Sequence, residues 1–93
     1  MILIIGHLRI APQNRAAFIA YAREIIPRER QVPGNVSFDI LHDVHDPNTF
    51  IMLERWLDRA ALDQHLNSAD FARNEEGISR FFDGEPTWDE YEI

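Results

Sequence analysis

The order of hydrophobic periodicities along this chain predicts one α+β domain in which four strands and two helical regions alternate as βαββαβ. Three observations carry that prediction. Ile2–Ile10, residues 36–43, residues 50–57 and residues 87–93 have the two-residue alternation of strands, while residues 12–26 and 59–82 repeat at helical spacing. Strands two and three are joined by a polar Asp46-Pro47-Asn48 connection that suits an antiparallel hairpin. Ninety-three residues suffice for a single core and no more, so residues 1–93 form one domain.

The first strand places Ile2, Ile4, Leu8 and Ile10 on one face and Leu3, Ile5, His7 and Arg9 on the other. Both faces begin apolar, which predicts burial on both sides. Pro12 suits the first turn of a helix, where its missing N–H has no partner to lose. Phe18, Ile19, Ala22, Ile25 and Ile26 then form an apolar stripe, with Arg15, Arg23 and Glu24 mostly off it. Pro27 removes a donor and crowds the carbonyl of Arg23, so the helix is expected to kink or stop near Ile26. Pro33-Gly34-Asn35 signals a turn. Asp58 is placed to cap a short helix over Arg59–Leu66. Ser68 is placed to cap a second run from Ala69 to about Phe82, which Gly84 can end. Gly77 weakens that run by about 1 kcal/mol relative to alanine. Pro86 introduces the last strand.

This order gives a ferredoxin-like four-stranded antiparallel sheet with its helices on one face. The opposite face also carries Ile and Leu. A two-fold homodimer that buries sheet against sheet is the simplest way to cover it.

Composition narrows the function classes. Nine basic against sixteen acidic residues give a net charge of −7, which disfavours nucleic acid and anionic membranes as partners. There is no cysteine, hence no disulfide framework and no thiolate chemistry, as suits a reducing cytoplasm. No apolar run reaches the roughly 20 residues of a membrane span. Residues 1–10 lack the basic start of a signal peptide, and no linker, repeat or low-complexity tract is visible.

The densest chemistry lies between Asn48 and Leu66. His65 shares a helix face with Ala61, Leu62, Leu66 and Ala69, so it points inward among apolar neighbours. An imidazole there can remove a proton near neutral pH; a packed, hydrogen-bonded core histidine gives the same pattern. Glu54 and Trp56 share a strand face with Phe50 and Met52. Glu54 can orient a histidine or form an ion pair with an arginine such as Arg23. Trp56 is a core wall that also offers a flat surface to a planar ligand. His7 either flanks the same cavity as His65, if its face looks toward the helices, or lies at a dimer seam. Glu75 either reaches that cavity or turns outward beside Glu76. His42, Asp43, His45 and Asp46 have a metal-like composition, but HxxH at a strand end does not bring both rings to one face, and no metal site is expected. There is no phosphate-binding glycine loop, zinc pattern or nucleophile elbow.

The ordered set Pro33-Gly34-Asn35, Phe38-Asp39, Asp46-Pro47-Asn48-Thr49-Phe50, Glu54-Arg55-Trp56, Ala61-Leu62 with His65, and Phe71 resembles the antibiotic biosynthesis monooxygenase (ABM) family. The resemblance runs from the first strand to the closing Trp88–Ile93. It implies a dimeric ferredoxin-like α+β barrel with a ligand cavity between each sheet and its own helices. Some members of that family oxygenate quinols or polycyclic phenols with O₂ and no metal, flavin or haem; others isomerise or degrade small signalling molecules. The haem-degrading branch has asparagine, tryptophan and histidine where this chain has His7, His65 and Glu75, so haem is not implied. The second strand of the family often has tyrosine where Phe38 stands here, which removes a hydroxyl.

The expected activity is therefore a cofactor-independent monooxygenase acting on a quinol or polycyclic phenol. His65 is the base, tuned by His7 or Glu54. Trp56, Phe38 and Phe71 pack the ring, and Asn35 or Arg23 supplies a donor at the mouth. The alternatives are a non-catalytic small-ligand binding or sensing dimer, and an isomerase or degradation enzyme for a small hydroxy-ketone.

Overall fold

A computed structural model describes all residues from Met1 to Ile93. The strands are β1 (Ile2–Arg9), β2 (Asn35–His42), β3 (Thr49–Trp56) and β4 (Thr87–Glu92). The helices are α1 (Arg15–Glu29), α2 (Arg59–Leu66) and α3 (Ala69–Ser79). The sheet order is β2-β3-β1-β4 with every neighbouring pair antiparallel, which is the ferredoxin-like arrangement the sequence predicts. No helix is long and apolar enough to cross a membrane.

Register decides which side chains meet the helices. Ile4 pairs with Glu54, Gly6 with Met52 and Leu8 with Phe50, while Phe38 pairs with Glu54 on the other side of β3. These residues share the face against which α1 and α3 pack. Phe18 of α1 is fully buried there, its ring edge-on to Phe50 at 4.8 Å and to Phe81 at 5.9 Å. Leu8, Ile10, Ile25, Phe38, Met52 and Ile78 complete this core. A smaller cluster of Ile2, Trp56 and Leu62 seats α2 on the sheet.

Both expected caps form. Asp58 accepts a hydrogen bond from the Ala61 N–H at 2.8 Å, and Ser68 Oγ accepts one from the Phe71 N–H at 3.1 Å.

Two expectations need correction. The helix opens with a 3₁₀ turn at Pro12–Asn14, and α1 then runs through Pro27 to Glu29. Pro27 and Arg23 lie on the exposed side of α1, so the carbonyl that loses its partner is on the solvent side, and the buried stripe of Phe18, Ala22 and Ile25 continues to Glu29. The third helix ends at Ser79, before Phe82. The chain leaves it because Phe82 bridges to Ile10 and the Asp83 N–H donates to the Arg9 carbonyl at 2.7 Å, drawing the segment onto the sheet. On β1, Leu3 and Ile5 are only half-buried while His7 and Arg9 are exposed; the chain by itself leaves that face open.

Gly77 answers a packing demand. A Cβ there would lie 2.5 Å from the Tyr21 hydroxyl, which donates to the Asn74 carbonyl at 3.1 Å and ties α1 to α3. Gly77→Ala should therefore destabilise the protein, although alanine is favoured by about 1 kcal/mol in a helix interior. Removing the hydroxyl with Tyr21→Phe should shrink that penalty, and urea midpoints of the four forms of the double-mutant cycle measure the coupling.

Candidate active site

A hollow of ≈ 710 Å³ opens between the helix-facing side of the sheet and α1, α2 and α3. Ile25, Phe38, Met52, Phe71 and Ile78 give it an apolar wall. Glu29, Glu54, His65 and Asn74 are the polar groups at its inner end.

Each polar group arrives there for a local reason. Asp58 caps α2 two residues after Trp56, and a helix from that cap brings His65, in the last turn, back over the Trp56 ring. The two rings stack with centroids 4.6 Å apart and planes 24° apart. Phe71 meets the imidazole edge-on at 5.3 Å. Glu29 comes from the last turn of α1, past the proline. Its Oε2 lies 3.1 Å from His65 Nε2, with the two side chains only 6% and 4% exposed. The atoms are at contact distance but not aligned, and Oε2 accepts no hydrogen bond. Glu29 Oε1 accepts from Asn74 Nδ2 on α3. All three helices thus meet at one buried carboxylate.

Glu54 is the second buried acid. Its Oε1 accepts from Trp56 Nε1 at 3.1 Å. Burial pushes its carboxyl up to about 7; the Trp56 hydrogen bond and nearby His65 oppose the shift, and the charge of Glu29 adds to it. Glu54 therefore exchanges a proton near neutral pH inside an apolar hollow. Burial also raises the Tyr21 hydroxyl.

Of the residues singled out from the sequence, His65, Glu54, Phe38 and Phe71 line the hollow, and so does Glu75, at its exposed edge. Trp56 lies behind the wall, fully buried, and backs the imidazole. Three do not join them. His7 projects from the other face of β1, half-exposed, with Nε2 3.7 Å from Asp89 Oδ2; a two-residue period cannot carry it to the side of Ile4 and Gly6. Asn35 sits where β2 is irregular, and its amide donates to the Ser37 carbonyl. Arg23 is on the solvent side of α1. Nor does Glu54 have an arginine partner. The His42–Asp46 group is consumed by its own turn: His42 contacts the Pro47 carbonyl at 2.7 Å, and Asp43 and Asp46 bind backbone N–H groups. No three His, Asp or Glu side chains are gathered to hold a metal ion.

Glu29 and Asn74 escaped the sequence reading. Glu29 was signalled by its place four residues after Ile25, on the apolar stripe. That signal was hidden by ending the helix at Pro27. Asn74 falls between Phe71 and Ile78 on the inward face of α3, where spacing alone marks it.

Residues 1–76 match the model of the family described as antibiotic biosynthesis monooxygenase. The chain belongs to the antibiotic biosynthesis monooxygenase family. It is 34% identical over 71 residues to a Bacillus subtilis (strain 168) protein named "Putative monooxygenase YcnE", an alignment covering 76% of this chain and 75% of that protein. A crystal structure of an antibiotic biosynthesis monooxygenase superposes with a TM-score of 0.89 at 29% identity, covering 100% of this chain and 98% of that one. The Pseudomonas aeruginosa protein PA3566 superposes at 0.82 with 28% identity, covering 97% and 90%.

The ABM domain should show the cost of its buried acid as a pH-dependent stability. The folded-state pKa of Glu54 is raised above its ordinary value of 4.5, so its contribution is intact below that value and is lost as pH rises through about 7. A shift of this size corresponds to about 3 kcal/mol. Glu54→Gln keeps an acceptor for Trp56 and removes the titration. Chemical denaturation at pH 5 and pH 8 should show the wild type losing stability relative to Glu54→Gln, by an amount of that order.

Proposed function

We propose that this ABM protein is a cofactor-independent monooxygenase that oxidises a quinol or polycyclic phenol with O₂ in the hollow between sheet and helices. The observation that carries the reading is the buried Glu29–His65 pair at the inner end of an apolar cavity, stacked on Trp56.

A neutral phenol passes electrons to triplet oxygen slowly, whereas its anion does so readily. The enzyme's task is then to take the hydroxyl proton, hold the ring and exclude water. In the proposed sequence the Glu29–His65 pair accepts that proton. The phenolate gives one electron to O₂, and the phenoxyl radical and superoxide join at the ring carbon para to the oxygen. The peroxide takes a proton. Loss of the C–H proton from that carbon then expels the outer oxygen as water. The sum is phenol plus O₂ to quinone plus water, with both substrate protons ending in the water. Glu54, which exchanges a proton near neutrality, serves the second transfer. Phe38, Phe71 and Met52 supply the apolar surface for the ring.

Leu3, Ile5, Ile51 and Leu53 on the outer sheet face are half-buried, with exposed Leu41 beside them, which supports a homodimer closed through that face. The site argued here is made within one chain.

Oxygen uptake with a panel of air-stable phenols and quinols, with quinone formation followed by absorbance, tests the proposal. His65→Ala should lower turnover about 10²–10⁴-fold, the usual worth of a positioned base. Glu29→Gln should lower it by less, because it removes the partner and leaves the imidazole. Full activity in both variants overturns the assignment.

A further inference from the structure

The charge of the hollow is one-sided. Six carboxylates line it, and none of the chain's nine basic residues does. Glu90 is neutralised from outside by Arg59, at 2.7 Å, but Glu75 and Glu85 at the exposed edge have no ion pair. Deeper in, Glu29 Oε2 is buried and accepts no hydrogen bond. An acceptor left without a donor inside a cavity favours a guest that supplies positive charge or a donor hydrogen.

A second, independent feature is Trp88. It lines the hollow yet is 50% exposed, an unusual amount for so large an apolar group. The fold makes room for it deliberately. It pairs with Gly6, and a Cβ at that position would lie 2.3 Å from the indole ring. Glycine at position 6 thus leaves room for the Trp88 ring against β1, on the side of the sheet that borders the hollow. A half-exposed indole beside uncompensated carboxylates is the pattern that binds organic cations.

We infer that the guest of this hollow is a planar, electron-rich aromatic carrying a protonated amine, with its ring against Phe38 and Phe71 and its ammonium at the rim that bears Glu75, Glu85 and Trp88, and that guests carrying a carboxylate, sulfonate or phosphate are excluded. This inference rests on the reading of the hollow as the substrate site and adds the charge class of the substrate. Anionic aromatics meet the repulsion of these carboxylates with no lysine or arginine in the lining to offset it. A cation gains from the field at long range and from the indole face on contact.

The test uses three naphthols that differ only in one substituent, aminomethyl, hydroxymethyl or sulfonate, titrated into the full chain by calorimetry. Oxygen uptake is recorded in parallel. The expected order of affinity is aminomethyl, then hydroxymethyl, then sulfonate, and added salt should compress it. In the Glu75→Gln/Glu85→Gln variant, two exposed changes that leave the core intact, the aminomethyl-to-sulfonate ratio should fall about tenfold, the size expected of two surface charge contacts together. Trp88→Leu should lower the ratio as well. A sulfonate that binds as tightly as the amine, an amine that fails to bind at millimolar concentration, or a ratio unchanged in the double variant overturns the inference. The affinity order without oxygen uptake supports this inference and removes the oxygenase reading. Oxygen uptake on neutral phenols with no charge preference does the reverse.

Discussion

A charged side chain in a 93-residue core is costly unless something answers it, and this fold is organised around the way it answers three. Glu29, Glu54 and His65 are all buried on the helix side of the sheet. Glu29 takes the Asn74 amide and lies against His65; Glu54 takes the Trp56 indole N–H and still titrates near 7. Removing one partner of such a buried set leaves the other uncompensated, at a cost of several kcal/mol. The geometry that satisfies these groups also fixes the ends of α1 and α2 and the middle of α3. The Tyr21 hydrogen bond to the Asn74 carbonyl extends the same tie to a second point between α1 and α3. The helices are therefore anchored by polar contacts at the cavity end and by the Phe18 cluster at the other.

The same arrangement explains how a domain this small can keep a hollow at all. An apolar void beneath packed helices loses contacts and costs stability. Here the inner end is held open by groups that cannot be pressed against hydrocarbon without losing their partners. The Trp56–His65 stack gives that end a rigid back wall made of two planar rings.

Much of the fold was legible because it rests on local rules. Alternation placed the four strands within one residue or so, and Asp58 and Ser68 cap their helices as their side chains dictate. Where reading failed, a tertiary contact outweighed a local one. Pro27 was expected to kink or stop the helix, but it lies on the exposed side of α1 while Glu29, the last residue of that helix, has a buried partner to reach. Phe82 fits a helical stripe by spacing, but pairing with Ile10 takes it to the sheet. In the site, the inward direction of His65 and Glu54 followed from periodicity. The identity of their partners did not, because Glu29 and Asn74 are 36 and 9 residues away from His65 along the chain and meet it only through the packing of three helices. His7 shows the limit of face assignment: periodicity grouped it with Leu3 and Ile5 correctly, but could not say which side of the sheet that group would occupy.

The strand that carries Trp88 contributes nothing buried: every residue from Thr87 to Glu92 is exposed. It lies at the sheet edge, held by its ladder to β1 and by the Arg59–Glu90 pair. Segments with few apolar contacts open locally at a fraction of the global unfolding free energy. One side of the hollow is thus backed by packed core and the other by an exposed edge strand. A guest seated against the indole would add to this strand the apolar contact that its own side chains do not make.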